Sequence, residues 1–327
     1  MAYLYIHGIG HYRPENVIDN AFLEEIGIGT TNEWIVTRTG IEARRTVLPL
    51  DYIRATGNRN PCCADEASLL DNAETGYRAA MMALRRANLR TSDIGMVVAG
   101  GSAPRMGSPA EACLIAAQLG IAVPCLDINS ACSTFAVQMR LLSQMNDLPD
   151  YVLVVNPENL TRTVDYTDRA TAVLMGDCTS AAVVSLKHAA RCHVAASTVQ
   201  TDATGWRKVT IRAGGHLQQD GHAVQNFAIR GMTHIVERLR PATRFQFVGH
   251  QANLPMLRSV CQRAGVEESA HLHNVERFGN CGAAGMPSVL SEYWDTFRAG
   301  DRVLAAVVGA GLTSAGLLLE FAEANGR

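Results

Sequence analysis

Short apolar runs alternate with helix-spaced runs along almost the whole chain, and that alternation restricts the fold to the α/β class. Residues 3–9, 94–99, 151–155, 181–185 and 193–199 read as strands. Residues 73–87 set Tyr77, Ala80, Met81 and Leu84 on one helical face, and 109–119 and 224–239 are further helices. Short helices are expected at 20–27 and 31–37. The pattern continues as strand 245–248, helix 254–264, strand 271–275, helix 283–298 and strands 302–308 and 315–321. Strands interleaved with helices in this way belong to a sheet that helices bury.

The alternation also repeats. Val97-Val-Ala-Gly-Gly leads through a helix and a strand to Cys132, and Phe247-Val-Gly-His-Gln leads through a helix and a strand to Asn280. From Val98 to Cys132 is 34 residues, and from Val248 to Asn280 is 32. A duplicated unit brings the two loop ends to corresponding edges of paired sheets. Two segments stand outside the pattern. Residues 48–72 carry Pro, Gly and Asn and read as either a lid over a pocket or a dimer arm. Residues 201–221 are rich in Gly and polar residues and read as a connecting loop.

Composition removes several classes of function. Twenty-nine basic and 31 acidic residues leave a net charge of −2, so a general nucleic-acid binder is not expected. No apolar run reaches the roughly 18 residues needed to span a bilayer. The first residues, Met-Ala-Tyr-Leu-Tyr-Ile-His, lack the basic and apolar regions of a signal peptide. With nine cysteines, an odd number, a cytoplasmic chain with reduced thiols is expected. Cys62 and Cys63 are adjacent, the other seven are scattered, and none forms C-x-x-C. No metal site is expected from them. Cys113, Cys125, Cys192 and Cys261 read as small buried hydrophobes.

Cys132 differs. A short strand from Cys125 to Ile128 precedes it, and Phe135, Ala136, Met139 and Leu142 follow at helical spacing. Asn129 and Ser130 are turn residues between the two. Cys132 therefore falls at a strand-to-helix junction. Free backbone N–H groups there are expected to favour a thiolate and to stabilise an oxyanion. Among ten histidines, His250 ends a strand immediately before a helix, the place where α/β folds build sites. Asn280 lies in the Gly-rich turn Arg277-Phe-Gly-Asn280-Cys-Gly. Cys281, beside it, is the thiol that labelling is expected to confuse with Cys132.

In this company the chain resembles the β-ketoacyl-acyl-carrier-protein synthase III family of the thiolase superfamily. The resemblance rests on Asn32–Arg45, Asn129-Ser-Ala-Cys132, Tyr166-Thr-Asp-Arg169, Leu174-Met-Gly-Asp177, Gly249-His250-Gln-Ala-Asn-Leu254, Phe278-Gly-Asn280 and Val308-Gly-Ala-Gly-Leu-Thr-Ser-Ala-Gly316. It implies a thiolase fold, a five-layer α-β-α-β-α sandwich of two pseudo-repeated halves, here 1–187 and 188–327, and a homodimer. It also implies Cys132 as nucleophile, with His250 and Asn280 as donors to an enolate. The backbone N–H groups of Cys132 and Ala310 would form an oxyanion hole. Trp34, Arg38 and Arg169 would bind coenzyme A. The substrates would be an acyl-coenzyme A and a malonyl thioester, with no resident cofactor and an acyl carrier protein as a partner.

The chain departs from the pattern in two places. Pro255 stands where housekeeping members carry an Arg that docks the carrier protein, although Arg258 and Arg263 share its helix. Residues 48–72 are longer than simple members need, and 201–224 look shortened. A specialised primer is expected. Decarboxylative condensation is the leading reading. Acyl transfer to an oxygen or nitrogen nucleophile is second, since transferases on this fold often replace the Asn that stands here as Asn280. A silent partner subunit is third, and its lost nucleophile is not seen.

Overall fold

The computed structural model describes residues 3–323; the first two residues and the last four of the two expected halves lie outside it. Nine strands form one mixed sheet: β1 (Leu4–Tyr12), β2 (Met96–Ala99), β3 (Cys125–Asp127), β4 (Val152–Glu158), β5 (Cys178–Ser185), β6 (Cys192–Thr201), β7 (Gln246–Gly249), β8 (Arg302–Gly309) and β9 (Thr313–Phe321). Their order is β7-β8-β9-β6-β1-β5-β4-β2-β3.

The duplication is visible in this order. In the first half the third strand lies outside the second, followed inward by the fourth, fifth and first. The second half repeats this, with His271 making a single parallel bridge to Phe247 where the third strand would stand. Directions repeat as well: β2–β4 and β7–β8 are parallel, whereas β4–β5 and β8–β9 are antiparallel. Leu4–Ile6 of β1 pairs antiparallel with Cys192–Val194 of β6 and joins the halves.

Six helices complete the layers: α1 (Asn72–Ala87), α2 (Glu111–Leu119), α3 (Thr134–Leu142), α4 (Gly221–Leu239), α5 (Leu254–Ala264) and α6 (Gly282–Tyr293). α1 and α2 cover the outside of the first half, and α4 and α5 cover the outside of the second. α3 and α6 lie between, each touching strands of both halves, which gives five layers. One apolar core holds Ile6, Phe135, Met139, Met286, Val289 and Leu317 together, so the halves share their interior. α1 starts where it does because Asp71 and Glu74 form a reciprocal cap, and it ends on Asn88 at φ 54.

Several sequence expectations fail, each for a local reason. Residues 271–275 are not a strand; one bridge at His271 is followed by a short helix, Val275–Phe278. Residues 201–221 are not a plain loop. They hold a 3-10 turn, Ala203–Lys208, and a hairpin of Val209–Ile211 with Leu217–Gln219. Asn16–Asp19 and Ala43–Thr46 form an unexpected two-stranded antiparallel pair. Strands of three or four residues are too short to display a period. Cys192 and Cys261 are buried as expected, but Cys113 is exposed and Cys125 half-buried. Cys113 falls on the outward side of α2, whose inward face is Ala112, Ile115, Ala116 and Leu119.

Candidate active site

Cys132, His250 and Asn280 line one cavity of about 520 Å³, although 118 residues of sequence separate the first from the second. Trp34, Arg38 and Arg169 line the same cavity, as does Ala310. Both arginines are exposed, whereas His250 and Asn280 are buried. The cavity therefore runs from a cationic, aromatic rim to a buried reactive end.

The nucleophile turn is tightly specified. Ala131 is held at φ 46, and the Ala131 N–H donates to Asn129 Oδ1 at 2.8 Å. Thr134 Oγ1 donates to the Ala131 carbonyl at 2.6 Å and accepts from the Ser130 N–H at 2.8 Å. Cys132 sits in the 3-10 turn Ala131–Ser133 that feeds α3. Gly309, at the end of β8, packs directly on this turn. A Cβ there would stand 2.5 Å from the Ser130 carbonyl oxygen and 2.9 Å from the Ser133 nitrogen. This close approach brings Ala310 beside the nucleophile. Ala310 is not among the residues with positive φ, which begin at Gly311 and Leu312, so its methyl group is no strain.

Asn280 is oriented by its own loop. Its Oδ1 accepts from the Gly282 N–H at 3.0 Å, which assigns the amide and leaves Nδ2 as the free donor. Its backbone is clamped on both sides: Asn280 N–H donates to the Leu174 carbonyl at 2.7 Å, and Gly176 N–H donates to the Asn280 carbonyl at 3.1 Å. Gly279 is required before it, because at φ 67 a Cβ would meet the Leu174 oxygen at 2.5 Å. The buried Arg44 guanidinium holds the other side of this loop, donating to the Val173 carbonyl through Nε at 3.1 Å and through Nη2. His250 directly follows β7, and burial pushes its pKa down to about 4, so the ring is neutral near pH 7. Its Nδ1 has no hydrogen-bond partner in the protein.

The expected thiolate is not supported. Burial, then the nearby Glu158 carboxylate, pushes the Cys132 pKa up to about 12, against the smaller pull of its own N–H and the Ser102 hydroxyl. A single 3-10 turn does not outweigh desolvation. Alkylation of Cys132 by iodoacetamide, read on its peptide, should therefore rise about tenfold per pH unit between about pH 6 and 9. A plateau near neutral pH would mean that something else stabilises the thiolate. Cys281 is buried and will not confuse this assay; Cys62, Cys63 and Cys113 are the exposed thiols to separate from Cys132.

Trp34 is presented by a helix, Asn32–Thr39, whose N-cap Thr31 accepts from the Trp34 N–H at 3.1 Å. The Arg169 guanidinium lies 4.5 Å from the Trp34 ring centre, and that of Arg38 lies 4.8 Å from it. Arg169 Nη1 donates to the Gly29 carbonyl at 2.7 Å, which holds the guanidinium beside the ring.

Residues 126–203 match the model of 3-oxoacyl-(acyl-carrier-protein) synthase III, and residues 239–321 match that of its C-terminal part. The chain is 31% identical to beta-ketoacyl-(acyl-carrier-protein) synthase III of Oceanobacillus iheyensis over 316 residues, covering 94% of each chain. This chain belongs to the 3-oxoacyl-(acyl-carrier-protein) synthase III family. Among solved structures, the synthase III of Thermus thermophilus is 30% identical with a TM-score of 0.82, covering 98% of this chain and all of that one. That of Aquifex aeolicus is 28% identical with a TM-score of 0.84, covering 97% of this chain and all of that one. The thiolase fold follows. A priming β-ketosynthase from the R1128 polyketide pathway is 26% identical with a TM-score of 0.83, covering 98% of this chain and 97% of that one.

Within this synthase III chain, residues 48–72 are not a lid, because none of them lines the cavity. The segment folds into helix Leu50–Thr56, a 3-10 turn and helix Ala64–Ala67. It packs Leu48, Ile53 and Ala64 against Leu160, Val173 and Met175 behind the cavity wall. The Asn58 carbonyl is 2.8 Å from His216 Nε2, which braces the hairpin that supplies Val209, Ile211 and Leu217 to the cavity. Pro255 lies in the first turn of α5. Arg258 on the same helix is 3.9 Å from Glu268, so part of its charge is spent within the chain.

Sequence reasoning missed Glu158. This fully buried carboxylate accepts from the Ser102 N–H at 3.0 Å, the Ser102 hydroxyl at 2.9 Å and the Ala283 N–H at 2.9 Å. It ties β4, the turn after β2 and the start of α6 together behind Cys132 and Asn280. The only available signal was a carboxylate three residues beyond the apolar run of β4. Burial raises its pKa to about 7 against these three bonds. A folded-state pKa above the ordinary 4.5 means that the fold holds the proton more tightly than the unfolded chain. That contribution is complete below about pH 4.5 and lost as pH rises through about 7. Glu158→Gln removes it, so stability relative to the parent should shift in favour of the variant by about 2–3 kcal/mol between about pH 4.5 and 8. Parallel urea titrations of the two proteins would show no shift if Glu158 stays ionised throughout.

Proposed function

We propose that this chain condenses an acyl group, taken from an acyl-coenzyme A onto Cys132, with a malonyl thioester, giving a 3-oxoacyl thioester and CO₂. The observation that carries the reading is the meeting of Cys132, His250 and an Asn280 amide with its N–H₂ free in one cavity. Cys132 Sγ attacks the thioester carbonyl, and the coenzyme A sulfur leaves with the thiol proton. The oxyanion formed on the way is held by the N–H groups of Cys132 and Ala310. Loss of CO₂ from the malonyl thioester leaves its bonding electron pair as an enolate. Neutral His250, through Nε2–H, and Asn280, through Nδ2–H, donate to the enolate oxygen. The enolate carbon then attacks the acyl-Cys132 carbonyl, and the sulfur leaves and regains a proton.

Retention of Asn280 favours condensation over acyl transfer to oxygen or nitrogen. The apolar wall around Val224, Phe227 and Met256 suits a primer larger than acetyl. The extender is carried by an acyl carrier protein or by coenzyme A; the weakened docking position at Pro255 favours an unusual carrier. We place the protein in the cytoplasm as a homodimer, using the unpaired outer edge of β3. No helix among the described residues is long and apolar enough to cross a membrane. No resident cofactor is proposed.

A panel of acyl-coenzyme A esters, followed by the mass added to the Cys132 peptide, identifies the primer. With the preferred ester, Trp34→Ala should raise KM about 2- to 30-fold with little change in kcat, because stacking and cation–π contact are worth about 0.5–2 kcal/mol. An unchanged KM would remove Trp34 from the coenzyme A site.

A further inference from the structure

A second cluster of reactive side chains lies outside the cavity, at the outer edge of the second half. Glu268, His271 and His273 each offer a ligand atom, and these atoms all lie within 4.8 Å of one another. None of the three lines the cavity of Cys132. The local sequence explains their meeting. His271 bridges Phe247 in extended backbone, where residues two apart share a face. The rings of His271 and His273 accordingly lie side by side, with centres 4.5 Å apart. The 3-10 turn Glu268–Ala270 brings the Glu268 carboxylate back to them.

Two observations point to a ligand. His271 is only 5% exposed, yet neither its Nδ1 nor its Nε2 has a hydrogen-bond partner. An imidazole buried with both nitrogens unsatisfied calls for an explanation. His273 is already oriented: its Nδ1 bonds the Glu276 carboxylate at 2.9 Å. A carboxylate behind an imidazole is the usual support of a metal-binding histidine. Among the described residues, the only cation facing the group in an ion pair is Arg258, whose exposed side chain holds Glu268 at the long distance of 3.9 Å and yields readily.

We propose that Glu268, His271 and His273 bind a divalent cation of the zinc class, with Glu276 orienting His273. Two imidazoles and one carboxylate suit zinc, cobalt or nickel better than magnesium or calcium. Ligand atoms in a tetrahedral zinc site are about 3.4 Å apart, so a small inward rotation of the exposed Glu268 side chain completes the set, and water takes the fourth position. The first half has a three-residue third strand here, and the second half has one bridge; the ion clips the Glu268 turn to that weak edge.

The test is titration of the full chain with Co²⁺, followed by competition with Zn²⁺. One equivalent should bind with a visible d–d spectrum of nitrogen and oxygen ligands, Zn²⁺ should displace it, and Zn²⁺ should raise Tm by several degrees. Glu268→Gln and His273→Gln, at positions that are not buried, should each weaken binding at least about tenfold and abolish the Tm rise. Acylation of Cys132 should be unchanged in both. Absence of binding, a thiolate-to-cobalt charge-transfer band, or variants that bind as tightly as the parent would each overturn the proposal.

Discussion

Cys132→Ala should take up no acyl group from any acyl-coenzyme A, and condensation should fall by at least about 10⁴-fold. The size of the effect follows from what the sulfur does. It forms the only covalent bond between enzyme and substrate, and no neighbour can substitute for it. Cys281 is buried and bonded through Sγ to the Phe278 carbonyl at 3.3 Å, while Cys62, Cys63 and Cys113 are exposed and outside the cavity lining. The turn should survive the change, because its hydrogen bonds come from Asn129, Ser130, Ser133 and Thr134 rather than from the thiol. Intact mass after incubation with acyl-coenzyme A reads the result. An acyl adduct on the variant would remove Cys132 from its role.

The second large effect separates the two halves of the reaction. His250→Ala and Asn280→Ala should each acylate at near the parent rate but lose decarboxylation by about 10²–10³-fold, the usual loss for one oxyanion donor. The two donors differ in how firmly they are held. Asn280 is fixed by the Gly282 N–H, by the Leu174 and Gly176 backbone and by Arg44 behind them. His250 has an unbonded Nδ1 and relies on packing. Asn280→Asp is the informative companion. It keeps the acceptor for Gly282 but replaces the donor by a carboxylate, so it should fold normally and repel the enolate. Release of labelled CO₂ from malonyl thioester in single-turnover mixtures measures all three. Full decarboxylation in both alanine variants would show that these are not the enolate donors.

Much of this site was legible because strand ends carry position. Cys132 and His250 each follow a short apolar run and precede helical spacing, so an α/β reading alone places both at sheet edges. Asn280 was legible only through its company, since an Asn in a Gly-rich turn ordinarily serves the backbone. Here it does both, clamping Leu174 and Gly176 while presenting its amide. Glu158 was hidden because Asn156-Pro157-Glu158 reads as loop. In the structure β4 continues through it, pairing with β5 alone after Val155, so the missing N–H of Pro157 faces no ladder. The thiol's raised pKa was also hidden. A helix start is visible in sequence, but the desolvation that overrides it at half-buried Cys132 belongs to the packed fold. The lid reading of 48–72 failed for the same reason: its Pro, Gly and Asn mark turns between short helices that brace the cavity wall rather than cover its mouth.

The most direct test is a two-step single turnover on the unmodified protein. Cys132 is first loaded from an acyl-coenzyme A and the excess removed. Malonyl thioester labelled at its free carboxyl group is then added. The account predicts one labelled CO₂ and one 3-oxoacyl thioester per acyl-Cys132, with the thiol regenerated. Transfer of the acyl group to an oxygen or nitrogen acceptor without CO₂ release, from the same loaded enzyme, would contradict it.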